Sequence, residues 1–294
     1  MELLNEIFSQ FNAILWGPPL ILLLLGTHLW MTIRTRGVQR WVFKGIKLSV
    51  TPDKTEGDIS PFAALTTALA STIGTGNIIG VATAIVSGGP GAVLWTWLTG
   101  LFGIATKYAE SLIAVKYRRK TEDGTYLGGA MVVLEKIGHP KLGVAFALLT
   151  GLAAFGIGCS VQSNAIADAL VTNFNFNASL VGLVLAAVTF LVIFGGVNPS
   201  PTCVKSSFRS CRYFIRWGCF YILYYNRAYL LPAIELIVQA AFTPRAMAGG
   251  FIGSTIMTAC RYGCARGLFS NESGMGSAPI VAAPRSRAIR FDRH

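Results

Sequence analysis

Two stretches of the chain combine glycine with small polar residues inside otherwise apolar sequence. The first is Ser71-Thr72-Ile73-Gly74-Thr75-Gly76-Asn77-Ile78-Ile79-Gly80, within a run over 61–106 that holds no Asp, Glu, Lys or Arg. Glycines on either side of Thr75, followed by Asn77, lower helix propensity where lipid offers the backbone no other hydrogen-bond partner. Irregular backbone at that depth persists where it lines a cavity or faces protein. A break frees N–H groups at one half-helix end and C=O groups at the other, the first suited to a carboxylate and the second to a small cation. Close helix packing through Gly76 and Gly80 accounts for the glycines equally well, but it leaves Thr75 and Asn77 unexplained.

The second stretch is Gly267-Leu268-Phe269-Ser270-Asn271-Glu272-Ser273-Gly274-Met275-Gly276-Ser277-Ala278-Pro279, again with Gly-x-Gly followed by a polar residue. An odd number of crossings separates the two breaks, so they traverse the membrane in opposite senses, the sequence sign of an inverted repeat with a midplane site. Other polar residues fit a solute path. Gln162, Ser163 and Asn164 interrupt an apolar run and offer neutral hydrogen bonding; Glu110, one helical turn from Lys107, reads as a structural ion pair; Glu272 pairs with Arg261 or Arg266, or acts in gating. No Ser/His/Asp arrangement, phosphate loop or metal-ligand set is present and the chain has 3 His, so no enzymatic chemistry and no bound cofactor is expected. Cys260 and Cys264 are spaced for one helix face and read as packing.

The elements that must position these residues follow from composition. Charged residues are 13% of 294, about half the roughly 25% of a soluble globular chain, while hydrophobic types reach 53% with 32 Gly. Mean hydropathy is +0.55. Charge-free runs over 7–33, 61–106, 142–167 and 169–204 each hold at least one span of about 20 residues, and Gly88-Gly89-Pro90-Gly91 splits the longest into a hairpin. The expected fold is all-α and polytopic, with about seven transmembrane helices near 13–33, 61–87, 91–114, 143–170, 179–197, 217–233 and 247–282. The net charge of +12 comes from loops rather than from one folded surface, which argues against nucleic acid as a partner and for a lipid bilayer. Basic loops holding Arg34 to Lys54, Lys116 to Lys141 and Lys205 to Arg216 alternate with cation-poor connections, so the N-terminus lies outside and the C-terminus in the cytoplasm.

These motifs carry a resemblance. Gly74 to Ile85, Gly88 to Val93 and Arg266 to Pro279 are similar to the sodium:alanine symporters, the alanine or glycine:cation symporter family, over residues 1–197 and 218–283. The resemblance implies a LeuT-type fold with an extra leading helix. It also implies symport of a small neutral amino acid, alanine or glycine, with sodium ion as the coupling ion, in the bacterial inner membrane. It implies substrate contacts from Thr75, Gly76 and Asn77 on the first break, Gln162 on the fourth span, and Phe269, Asn271 and Ser273 on the second break. The pattern departs from the family over 198–216, an atypical loop, and over 284–294, a basic tail, both of which read as shifted reading frame. The transporter domain is therefore expected over 1–283 with an incomplete second repeat, and a non-transporting membrane scaffold is the alternative function.

Orientation is checked by single cysteines at Ser179 and Thr125 in a background without native cysteines. A membrane-impermeant thiol reagent added outside labels Ser179→Cys and spares Thr125→Cys; the opposite pattern inverts the topology.

Overall fold

The computed structural model describes residues 2–51, 61–194, 213, 215–243 and 256–282. The atypical segment 198–216 falls almost wholly outside the described residues, and the tail 284–294 does so entirely. The chain is mostly helical: α1 Glu2–Leu15, α2 Pro18–Arg34, α3 Val42–Val50, α4 Pro61–Thr72, α5 Thr75–Gly88, α6 Ala92–Tyr117, α7 Ala130–Lys136, α8 Pro140–Ala153, α9 Val161–Phe174, α10 Ala178–Phe194, α11 over 215–225, α12 Leu230–Phe242, α13 Ile256–Asn271 and α14 Ala278–Ala282. The all-α expectation needs one amendment: Arg119–Lys120 pairs antiparallel with Tyr126–Leu127 in the second basic loop, where Arg119 also bridges Glu135 at 3.3 Å.

Helix α6 is the axis of the molecule, and α13 lies along both α6 and α5. The contacts fix their directions. Along α5, Gly76 meets Phe269, Gly80 meets Arg266 and Gly88 meets Tyr262, so α5 and α13 run antiparallel. Along α13, Gly263 meets Ala92 and Trp95, and Gly267 meets Thr99, while Asn271 meets Gly100, so α13 and α6 run parallel. The turn that reverses the chain between α5 and α6 is the expected one: Gly89 takes φ +75° and its N–H donates to Ile85 O at 2.9 Å. Small residues permit this approach, since a Cβ on Gly263 would stand 2.4 Å from Ala92 O and 2.5 Å from Trp95 Cβ. Cys260 and Cys264 pack beside Ile21, Leu25 and Trp95.

The helices depart from the expected spans in informative ways. The first span is a bent pair, Asn5–Leu15 and Pro18–Arg34, turned by 41°, because Pro18 starts a helix and cannot continue one. The sixth does not end at 233. Pro232 sits in the first turn of α12, where its missing N–H is harmless, and the helix runs on to Phe242. The fourth span is one helix, Pro140–Phe174, unbroken at Gln162 but widened into a π-turn over Ala154–Ser160 immediately before it. Among the described residues this is the one unbroken helix long and apolar enough to cross a bilayer, with the bent first pair as a second. Of the other expected spans, Thr75–Gly88 and Ala178–Leu191 are apolar but short, whereas α6 has the length, at 26 residues, and falls short in apolarity.

The glycine seam predicts a selective cost. Gly263→Ala forces α13 off α6, lowering the thermal midpoint in detergent by the equivalent of about 1–3 kcal/mol of overpacking. Gly26→Ala, where no atom lies within 4 Å of the added methyl, leaves the midpoint unchanged.

Candidate substrate site at two interrupted helices

The first break occupies Ile73 and Gly74, between α4 and α5. Its ends are held locally: Ile73 N–H donates to Leu69 O at 2.8 Å, Thr72 Oγ1 to Ala68 O at 2.6 Å, and Asn77 Nδ2 reaches back across the gap to Thr72 O at 2.7 Å. The second break occupies 272–277, between α13 and α14. Glu272 caps α13 in the left-handed region at φ +53°, with its N–H on Leu268 O, and Gly274 and Gly276 follow at φ +87° and +73°, conformations that glycine adopts without strain.

The two breaks meet. A Cβ on Gly76 would lie 2.9 Å from Phe269 Cδ1, so the ring lies directly against the backbone of the first break. Ser270 Oγ donates to Asn77 Oδ1. On the far side, Thr75 Oγ1 donates to Gln162 Oε1 at 2.8 Å, tying α5 to α9 in the first turn after the π-turn. Five of the seven expected residues, Thr75, Gly76, Asn77, Gln162 and Phe269, therefore form one neighbourhood. The other two turn elsewhere: Asn271 packs its amide against Gly100, 3.1 Å from where a Cβ would stand, and Ser273 is buried against Gly103. Glycines at 100 and 103 on α6 make room for those side chains, which draws them away from the first break.

Charged residues complete the arrangement in a way their spacing does not show. Lys107 and Glu110, one turn apart on α6, both turn to the breaks, Lys107 to the two of them and Glu110 to the second. Lys107 Nζ donates to Asn271 O at 2.9 Å and to Thr72 Oγ1 at 3.4 Å, so one ammonium sits at the C-terminal ends of both interrupted helices, where their dipoles favour a cation. Glu110 accepts from the backbone N–H groups of Gly274, at 3.3 Å, and Gly276. Glu272 takes a contact from Ser277 Oγ at 3.5 Å and faces Lys107, not Arg261 or Arg266. Backbone groups that lipid cannot satisfy thus find charged partners on the neighbouring helix. Ser270 and Thr72 are the further site residues; both flank the glycines in the quoted stretches, and their polarity inside apolar helices is the signal.

A mostly helical chain in which two interrupted helices meet through polar side chains has the build of a membrane carrier. A model of the sodium:alanine symporter family matches residues 1–288, and the chain belongs to that family. It is 46% identical to the sodium/alanine symporter AgcS of Methanococcus maripaludis over 95% of this chain and 62% of that protein. It is 44% identical to an uncharacterized transporter of Haemophilus influenzae over 95% and 62%, and 36% identical to the probable sodium/glutamine symporter GlnT of Bacillus subtilis over 96% and 59%. The chain spans about three fifths of the length of these curated relatives.

Substitution at the charged pair tests its role. Lys107→Met leaves two helix ends without their cation and lowers the thermal midpoint by the equivalent of about 1.5–3 kcal/mol, the worth of a hydrogen bond to a charged group. Glu110→Gln, which keeps one acceptor oxygen for the glycine N–H groups, costs less than Glu110→Ala. Scanning fluorimetry in detergent reads both.

Proposed function

We propose that this chain carries a small neutral amino acid, alanine or glycine, together with sodium ion across the bacterial cytoplasmic membrane, through the site between the two breaks. The observation that carries the reading is the juxtaposition of a helix N-terminus, a neutral polar pair and an aromatic wall at one point. The first-turn N–H groups of α5 suit the ligand carboxylate. Thr75 and Gln162, already paired at 2.8 Å, offer hydroxyl and amide contacts without an ionised group. Phe269 lies against Gly76 and supplies an apolar wall at the break. Sodium is a hard cation that takes oxygen ligands, and Asn77 Oδ1 and Ser270 Oγ meet beside the first break.

A LeuT-type inverted repeat agrees with the antiparallel run of α5 and α13, the helices that hold the outer side of each break. About seven crossings with the N-terminus outside agree with the basic loops. Contact with lipid is supported by the surface of the Pro140–Phe174 helix, where Leu148, Leu152 and Phe155 are 65%, 70% and 75% exposed.

Uptake of labelled alanine into proteoliposomes tests the proposal, using the chain itself and a version extended to its relatives' length. Uptake depends on an inward sodium gradient and is abolished by Gly76→Leu. Gln162→Ala raises the half-saturating alanine concentration by about 2- to 12-fold, the loss of one hydrogen bond worth about 0.5–1.5 kcal/mol. Uptake that ignores sodium, or that survives Gly76→Leu, contradicts the proposal.

A further inference from the structure

The first basic loop folds into an element for which solute transport has no use. After α2 the chain makes one 3₁₀ turn, Val38–Trp41, and continues directly into α3. Around α3 the side chains sort into three stripes. Val42, Gly45 and Ser49 turn inward, half-buried or buried. Phe43, Ile46 and Val50 form an apolar stripe that stays 84%, 50% and 56% exposed. Lys44 and Lys47, with Arg40 one turn earlier, form an exposed basic stripe. No Asp or Glu occurs over 7–52, and among the described residues none of Arg34, Arg36, Arg40, Lys44 and Lys47 is in an ion pair. A helix with one apolar and one cationic exposed face has the pattern of an element that lies in a membrane interface.

The inward face of α3 borders an apolar groove of about 380 Å³. On the opposite wall α6 presents Ile104, Tyr108, Leu112 and Val115 along one face, a rise of about 16 Å at 1.5 Å per residue, and α4 adds Leu65. Trp41 joins groove and cations. Its ring lies in the groove wall, while the Arg40 guanidinium and the Lys44 ammonium stand 5.5 Å and 5.3 Å from its centre. The groove and the cations at its edge are complementary to a molecule with a long apolar chain and an anionic head.

We propose that α3 and the groove behind it bind an anionic glycerophospholipid, with the headgroup phosphate at Arg40 and Lys44 and one acyl chain along the α6 stripe. Charge complementarity favours this occupant, because cations beside a membrane attract anionic lipid and the loop supplies five of them without a carboxylate over 7–52. A free phosphate would satisfy the cations but leave the groove without an apolar partner. The stripe of Phe43, Ile46 and Val50 enters the acyl boundary beside the bound lipid. The site is independent of which solute the chain carries.

Native mass spectrometry tests the proposal, using the whole chain released from micelles that hold equal amounts of phosphatidylglycerol and phosphatidylcholine. The chain retains phosphatidylglycerol in preference by about tenfold, the scale expected for two cations at an anionic lipid. Arg40→Gln with Lys44→Gln removes the preference, Arg40→Lys with Lys44→Arg keeps it, and Lys136→Gln with Lys141→Gln in the second basic loop leaves it unchanged. Lysophosphatidylglycerol, with its single chain, displaces the bound lipid, and glycerol 3-phosphate does not. Equal retention of the two lipids, or a preference that survives Arg40→Gln with Lys44→Gln, overturns the site. Displacement by glycerol 3-phosphate overturns the lipid as its ligand. A preference that appears only after Asp53→Asn, Glu56→Gln and Asp58→Asn overturns it as well, by assigning the cations to carboxylates of their own loop. No arm reads alanine uptake, so failure here leaves the proposed function standing.

Discussion

A peptide group inside a bilayer must find its hydrogen-bond partner within the protein, and the rest of this structure depends on that requirement. Each interruption of a helix exposes several such groups. Here they are met by side chains brought from other helices: Asn77 returns to Thr72, Lys107 holds Asn271, and Glu110 holds Gly274 and Gly276. The breaks persist because α6 supplies an ammonium to the C-terminal ends of α4 and α13 and a carboxylate to the glycine N–H groups of the second break. On the side facing α9 the polar contact is made by neutral groups, Thr75 and Gln162.

Close approach of backbones makes this supply possible. Helix α13 lies against α5 and α6 through glycines at 76, 80, 88, 263 and 267, where a methyl group would meet its neighbour at between 2.4 and 3.8 Å. Gly76 admits the Phe269 ring to the break, so the contact that packs the two helices is also the wall of the proposed site, and close packing and a solute site need not be alternatives. Dispersion between closely packed surfaces replaces the hydrophobic drive that is absent in lipid.

Much of this was legible before the fold was known, and the reason is local chemistry. Glycine with Thr or Asn inside an uncharged run marks a break within two residues of where it occurs, and Gly88 to Gly91 marks the reversal between α5 and α6. What was hidden depends on partners far apart in sequence. Thr75 and Gln162 are 87 residues apart, and Asn77 and Ser270 are 193 apart. The spacing of Lys107 and Glu110 suggested that they pair with each other, but the helix ends and the glycine N–H groups offered each a closer partner. The sixth span was placed near 217–233, whereas Pro232 occupies the first turn of a helix that runs on to Phe242. Asn271 and Ser273 came with the family resemblance; the glycines of α6 that their side chains pack against lie in another span, which no local pattern shows.

The central claim is that the two interrupted helices meet side chain to side chain. Cysteines placed at Asn77 and Ser270, in a chain without native cysteines and with a protease site inserted at Gly124, test it most directly. After cleavage in native membranes, a short bifunctional thiol reagent holds the two fragments together on a denaturing gel if the breaks are joined as described. Fragments that separate despite the reagent, while each cysteine is shown to be modified, would place the breaks apart and leave the glycines as packing alone.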